Sequence, residues 1–554
     1  MSARLWRTLV AALLLVQGAR CLYNSWRETQ TVDEGIHIAS GYTFLKTGLY
    51  ELDTEHPPLA RVWFTLPLLA MRADARLGAE SWKQRDMIEH GKQILYRQPK
   101  WRAETLLFAG RAMVVLLALA LTLAVALWTR ERFGPAAGLA AAALVSLDPT
   151  LCAHGHYTTT DVAAALASFL ALTAFEAALE RGGRARILVA GLATGAAFAV
   201  KLSTLFLVPS FLLLALALRR SLGRSAAAVA GTCVVGLLAA LLSYGPAGWR
   251  LKQLPRLDER VAEGGPVNTA LRYLGEKWKV PAHPWLVGVG AHFKHQEEGH
   301  EAFLLGEIYK GGKWQYFPVA FLVKMPAGAL LLFALALPLL LFAPPRAWAV
   351  LAIPMAVYWA AAVQSHVNIG VRHLLPVWPL TAALAAGLMA AYGRRLYRRA
   401  APVLLAACCL MTAAESARIF PHDIAFFNFA AGGPENGANI LLDSNIDWGQ
   451  SLGELIEWLG DRPRKEVCLC YFGVVPLDYF GFDECGVMPD EEIRRGLLPE
   501  RRWYAISVTL LQGVYHKREW YGWLRAQTPV ARIGYSIYVY DVLPLKMRGK
   551  TPLN

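Results

Sequence analysis

The sequence predicts a polytopic α-helical membrane protein, and three observations carry that reading. Apolar residue types make up 55% of the 554 residues and charged types only 18%, with a mean hydropathy of +0.33; a soluble domain carries about a quarter charged residues. Residues 112–128, 202–218, 225–249, 325–345, 347–365 and 374–393 contain no charge at all, and several approach the roughly 20 residues that cross a bilayer as a helix. The arginines cluster in short gaps: Arg4 and Arg7; Arg130 and Arg132; Arg181, Arg184 and Arg186; Arg219, Arg220 and Arg224; Arg346; Arg394, Arg395, Arg398 and Arg399. These gaps alternate along the chain, which is the positive-inside pattern of cytoplasmic loops. A cytosolic enzyme, a secreted disulfide scaffold and a disordered chain are excluded.

The net charge of +14 follows from the same pattern. Residues 418–554 carry 15 Lys/Arg against 17 Asp/Glu, so the basic excess lies entirely in the membrane half. It reports topology and implies no nucleic-acid partner.

With those clusters inside, the N-terminus is cytoplasmic and about eleven helices follow, near 8–26, 106–128, 135–151, 162–180, 187–200, 203–218, 225–246, 317–342, 347–365, 372–393 and 401–417. Residues 187–218 are too long for one crossing, so Lys201 marks a hairpin tip at the membrane surface. The first segment is read as a retained helix, because Arg20 precedes Cys21 where a cleavage or lipidation site requires a small residue. The expected location is the plasma (inner) membrane, with the C-terminal part extracytoplasmic or periplasmic.

Two modules follow, a membrane module over 1–417 and a small external α/β domain over 418–554. Within the latter, 439–443, 466–472, 503–508 and 535–540 read as strands, and 451–459 and 520–527 have helical spacing. The external side also holds a long first loop (about 27–105), a tight turn near 152–161 and a loop at about 247–316. The apolar stretch 62–71 is too short to cross and is expected to lie in the interface. Cys468, Cys470 and Cys485 leave room for one disulfide and one thiol.

Charge collects at the outer edge of the membrane. Asp33-Glu34 follows the first span and reads either as a base with a supporting charge, suited to activating a hydroxyl, or as an acidic helix start. His56 precedes Pro57-Pro58, a stiff turn that can aim the imidazole at a phosphate oxygen or simply lead into the 62–71 segment. Asp148, His154, His156 and Asp161 gather in one turn, where Asp161 is either a site acid or a helix cap; the spacing lacks an i, i+4 His pair, and no metal is expected. Lys201 sits between apolar stretches, where it is a functional cation or one that snorkels to the interface. Arg372 and His373 open the tenth span, and the guanidinium fork suits a phosphate. His292, His295 and His300 have loose metal spacing but lie in a polar loop and read as solvated. Asp443-Ser444-Asn445-Ile446-Asp447-Trp448-Gly449-Gln450 resembles a catalytic loop, yet Asp447 with Gln450 also fits a capping box for the 452–459 helix, and that structural role is expected.

Together these pieces resemble one group. The Asp33-Glu34 pair after the first span, the Pro-Pro turn, Asp161 at the start of the fourth span and the Val371-Arg372-His373-Leu374-Leu375-Pro376 opening are similar in order and membrane side to family 39 of the glycosyltransferases. That group comprises the protein O-mannosyltransferase type and its relative that places aminoarabinose on lipid A, both of GT-C fold. His154-Gly155-His156, Tyr316-Phe317-Pro318, Lys324-Met325-Pro326 and the 443–450 segment look like bacterial members, and the resemblance covers nearly the whole chain. It implies transfer of a sugar from a polyprenyl phosphate to a hydroxyl of a protein or envelope glycolipid, at the outer face of the membrane and with inversion. Asp33 would be the general base, with Glu34 beside it, and Asp161 the second acid. His56, Lys201, Arg372 and His373 would meet the donor phosphate. Where the lipid A branch has Lys-Pro-Pro this chain has His56-Pro57-Pro58, so that phosphate contact differs. No cofactor is implied, and no DxD motif is placed for a nucleotide sugar. Two rival readings share the sequence: a ligase or polymerase using a polyprenyl-diphosphate oligosaccharide, and a non-enzymatic lipid or solute transporter, whose charges would sit at the midplane.

Overall fold

A computed structural model describes residues 1–218, 221–249, 265–279, 283–483 and 501–543. The chain begins with α1 (Ala3–Arg27), whose buried residues include Gln17, Arg20, Asn24 and Ser25 while Leu15 and Trp26 are exposed. Polar side chains inside and apolar ones outside is the inverse of a soluble helix, and it is how a helix faces lipid. In the first loop follow α2 (Glu34–Thr47), α3 (Pro58–Ala70) and, after a single helical turn at Glu80–Lys83, α4 (Met87–Tyr96). The bundle continues with α5 (Ala103–Phe133), α6 (Pro135–Ser146), α7 (Asp161–Arg181), α8 (Arg184–Val200), α9 (Leu207–Leu218) and α10 (Leu222–Leu242). Helix α11 (Pro284–Glu298) and the antiparallel hairpin β1 (Glu301–Leu304) and β2 (Glu307–Lys310) lead into α12 (Tyr316–Lys324), α13 (Ala327–Ala336), α14 (Pro345–Ala362), α15 (Val377–Tyr397) and α16 (Ala401–Ile419).

Helices occupy each of the eleven apolar stretches. Among the described residues, five helical stretches are long and apolar enough to cross a membrane alone: Ala3–Arg27, Ala103–Phe133, Asp161–Arg181, Leu222–Leu242 and Val377–Ile419. A sixth is added if the pair Tyr316–Lys324 and Ala327–Leu341 counts as one broken span, bent by 110°. Pro326, which lacks an N–H and caps α13, sits at that break. Within Val377–Ile419 the chain turns at Arg398, where φ is +51°, and α15 packs against α16. Lys201 is extended (φ −155°, ψ 134°) and ends α8 before a 3₁₀ turn over Leu202–Phe206. Arg219, Arg220 and Cys485 lie outside the described residues.

The C-terminal part holds α17 (Leu452–Leu459) and the strands β3 (Val467–Cys470), β4 (Trp503–Ser507), β5 (Ala531–Ile533) and β6 (Ile537–Asp541). They form one mixed sheet in the order β3-β4-β6-β5, with β3 and β4 parallel and the other pairs antiparallel. The segment 439–443 is a turn leading into a 3₁₀ turn over Asp443–Asn445, not a strand: Asp443 adopts φ +56°, which takes it out of the extended region. The helical spacing over 520–527 resolves into a 3₁₀ turn, Arg518–Tyr521, and a single helical turn, Gly522–Arg525. Cys468 is disulfide-bonded.

The sheet packs directly onto the rest of the molecule. One apolar cluster joins Ile38, Phe64 and Leu106 to Leu455, Leu469 and Val539, so the first-loop helices and the sheet share a core. That contact brings the first loop and the C-terminal sheet to the same side of the bundle.

Candidate active site

Asp33 is the residue before α2 and makes no capping bond with its side chain. Its carboxylate is instead held by Arg372, whose Nη1 donates to Oδ2 at 2.8 Å, and the Asp33 side chain stays 26% exposed. Glu34, one residue on, turns the other way. It is fully buried and bridged by Arg111 through Nε (2.9 Å) and Nη2 (2.6 Å), and it accepts from the backbone of Thr31 (2.9 Å) and Thr158 (3.0 Å). Burial alone would raise its pKa, but the Arg111 charge and these bonds outweigh it and hold the carboxyl below the usual glutamate value. Arg111 also donates to the carbonyls of Ser25, Glu28 and Thr29, so this pair fixes the segment that carries Asp33.

Asp161 begins α7, with Thr160 as the cap residue, and makes no side-chain capping bond either. Its Oδ1 accepts from Lys201 Nζ, while Oδ2 lies 3.8 Å from Arg372 Nη1 and has no hydrogen-bond partner. The break after α8 therefore delivers the Lys201 ammonium to the first turn of α7, in place of a surface-snorkelling position. Arg372 Nε and His373 Nε2 are buried and unpartnered as well. Asp33, Asp161, Lys201, Arg372 and His373 are thus one group, with two cations and several unspent polar atoms at its centre.

His56 belongs to a neighbouring cluster. Its Nδ1 is 3.3 Å from Asp53 Oδ2, and its ring stands edge-on to His37 at 5.1 Å. Asp53 in turn accepts from buried Arg61. Beyond it, Glu55 takes His295 at 2.9 Å and His292 at 3.9 Å. The Glu55 bond lifts the His295 imidazole above its ordinary value, and the two histidines hold Glu55 below its own although burial opposes this. These histidines are ion-pair partners across two loops, where the sequence suggested solvated ones. His154 and His156 diverge: His156 bonds Glu28 at 2.9 Å, while His154 lies against Trp448 and Tyr157. Among the described residues no group of three or more His, Cys, Asp or Glu side chains is arranged to hold a metal.

The 443–450 segment does more than start a helix. Asp447 does not cap α17; its carboxylate accepts from Thr509 N at 3.1 Å and from Ser507 Oγ at 3.4 Å, which corrects the capping-box reading. The Trp448 ring lies under the Arg372 guanidinium, 4.4 Å from its centroid. Asn445 accepts from Val371 N (2.9 Å) and donates to Tyr316, and its carbonyl takes Lys324 Nζ at 2.6 Å. The carbonyls of Trp448 and Gln450 accept from Val32 N and Thr29 N. Gly370 permits this approach, since a Cβ there would meet Ser444 Oγ at 2.1 Å. The segment is a clasp between the loop that carries Asp33 and the Arg372 turn. Its sequence signal was the cluster of polar residues around a lone Trp; that of Arg111 was a single cation near the start of a 31-residue apolar helix.

A bundle of apolar helices with its ionisable residues gathered at one end, under a small mixed sheet, defines a class: the chain has the GT-C fold of membrane glycosyltransferases. The apo crystal structure of ArnT from Cupriavidus metallidurans matches with a TM-score of 0.50 at 13% identity, over 97% of this chain and 98% of that one. The same protein bound to undecaprenyl phosphate matches over the same shares at 14% identity and a TM-score of 0.46. The oligosaccharyltransferase AglB from Archaeoglobus fulgidus, in complex with an inhibitory peptide and a dolichol-phosphate, matches at 14% identity and a TM-score of 0.47, over 74% of this chain and 56% of its own. The family of dolichyl-phosphate-mannose-protein mannosyltransferases matches residues 104–244, a stretch that includes Arg111, Asp161 and Lys201. No curated protein matches the chain.

Proposed function

We propose that the protein is a membrane glycosyltransferase that moves a sugar from a polyprenyl-phosphate donor to an acceptor hydroxyl on the outer side of the membrane. One observation carries this reading. A partly exposed carboxylate, Asp33, is bonded to a guanidinium that also faces Asp161, itself paired with Lys201, with Arg372 Nε and Asp161 Oδ2 left unpartnered in a buried setting. Buried polar atoms without partners are costly, and an anionic ligand with hydroxyl groups would satisfy them. The ArnT chain that shares this fold binds undecaprenyl phosphate, which supports a lipid phosphate as that anion.

In the proposed reaction the acceptor hydroxyl gives its proton to Asp33 Oδ1, the oxygen not bonded to Arg372. The oxygen attacks the anomeric carbon, the bond from that carbon to the phosphate oxygen breaks, and the configuration inverts. Arg372 and Lys201 offset the charge that develops on the leaving polyprenyl phosphate, with His373 beside them. His56, tied to Asp53, stands one layer outside, and Glu34 positions the Asp33 loop through Arg111. The acceptor is a protein hydroxyl or an envelope glycolipid. We further propose eleven spans, a cytoplasmic N-terminus, an inner-membrane location and an external C-terminal domain over 418–554.

Binding of undecaprenyl phosphate to purified protein in detergent tests the donor site. Affinity should fall in the order wild type, Arg372→Lys, Arg372→Ala, because Lys keeps the charge but loses the bidentate fork. Undecaprenol should bind weakly to all three. Equal binding of the phosphate by all three proteins would remove Arg372 from the site, and preference for undecaprenyl diphosphate would favour the ligase reading.

A further inference from the structure

The geometry points to a subsite for the transferred sugar formed by Phe472, Tyr515 and Asp443; this deepens the proposed function and rests on it. The rings of Phe472 and Tyr515 lie nearly parallel (14°) with centroids 5.5 Å apart, an offset stack whose outer ring face is the aromatic wall of the subsite. Phe472 and Val32 both pack against the apolar cluster that contains Trp448, so the aromatic pair lies near the residue before Asp33 and the ring beneath Arg372. The Tyr515 hydroxyl donates to Asp443 Oδ2, and Asp443 adjoins Ser444, whose Oγ bonds Ile369 just before the Arg372 turn. Asp33 and Asp443 both lie close enough to Arg372 to act on its charge. Base, phosphate cation and Asp443 are therefore neighbours, and Asp33, Asp443, Phe472 and Tyr515 are each partly exposed.

A glycosyl phosphate placed with its phosphate at Arg372 and Lys201 must put its ring directly beside them, and this wall is what stands there. The weakly positive C–H face of a pyranose packs against the negative face of an aromatic ring. Asp443 keeps lone-pair sites for sugar hydroxyls: among the described residues Oδ1 accepts only from Ser444 N, at 2.6 Å, and Oδ2 only from Tyr515. His300, with Nδ1 3.5 Å from the Tyr515 hydroxyl, closes the far side. Glu301 accepts from Tyr515 N at 3.0 Å, so the rim carries two carboxylates. A neutral or amino sugar fits this rim, and an acidic one is repelled.

The test compares undecaprenyl phosphate with undecaprenyl phosphate carrying mannose, glucose, N-acetylglucosamine, 4-amino-4-deoxyarabinose or galacturonic acid. Wild type should bind at least one neutral or amino-sugar lipid about tenfold tighter than the bare lipid, and the galacturonic acid lipid no tighter. Tyr515→Phe should lose most of that gain while holding the bare lipid within about twofold of wild type, and Asp443→Asn, whose charge also acts on Arg372, should lose most of the ratio between sugar lipid and bare lipid whatever its affinity for the bare lipid. Both variants should fold: Asn tolerates the left-handed φ of +56° at Asp443, and Phe removes one oxygen. A gain that persists in both variants, or a wild type that binds no neutral or amino-sugar lipid better than the bare one, overturns the subsite. Failure of the bare lipid to bind would instead overturn the donor reading, and the subsite with it.

Discussion

Asp33 and Glu34 are neighbours in sequence with opposite surroundings, and their substitutions should separate accordingly. Asp33→Asn retains size and hydrogen bonding but cannot take a proton, so turnover should fall by about 10² to 10⁴ with the melting temperature nearly unchanged. Glu34→Gln leaves the Arg111 charge buried without its partner, which costs about 3–5 kcal/mol. Loss of thermal stability, measured in detergent, should therefore mark the second variant and not the first. Equal stability of both would mean that water replaces the Glu34 carboxylate. The sequence could flag the pair but not divide it. What orients each carboxylate is an arginine far along the chain, Arg111 for one and Arg372 for the other.

At the scale of elements, hydropathy and arginine spacing located a helix in every apolar stretch, because lipid contact leaves a local compositional record. Lys201 was legible as an interruption for the same reason. The clasp over 443–450 was not, since its bonds go to Val32, Val371, Lys324 and Thr509, none of them near in sequence. Its register depends on Gly370. Gly370→Ala drives a methyl group into Ser444 Oγ, and overpacking of this kind costs about 1–3 kcal/mol. Adding Ser444→Ala removes that oxygen and leaves Cβ at 3.4 Å, an ordinary contact. Stability should then partly return, and a double variant no better than the single one would show that the clasp is held elsewhere.

For the whole molecule, topology is the first test. A reporter active only outside the cytoplasm should work when fused after Asn554 and stay silent near Arg184; the reverse would put Asp33 and Arg372 on the cytoplasmic side. The second concerns the seam between the first loop and α11. Glu55 is held below its ordinary value of 4.5, so its share of stability is present above that pH and lost as pH falls through the depressed value. His295 is raised above 6.5, so its share is complete below 6.5 and lost as pH climbs through the raised value. Local protection of residues 284–298 from hydrogen exchange should peak between about pH 4.5 and 6.5 and flatten in Glu55→Gln. A profile unchanged by that substitution would assign the pH response to other groups.

The clasp also has a consequence in time. Thr29 Oγ1 donates to the Gly449 carbonyl across a separation of 420 residues, so the loop that carries Asp33 emerges from the ribosome long before its partner. At about 5–20 residues per second the interval is roughly 20 to 80 seconds. Throughout it, a half-made chain already seated among the lipids would hold its carboxylate out of register with Arg372, itself not yet translated for most of that wait. Under the proposed function such a chain would be inactive until the 443–450 segment has been made.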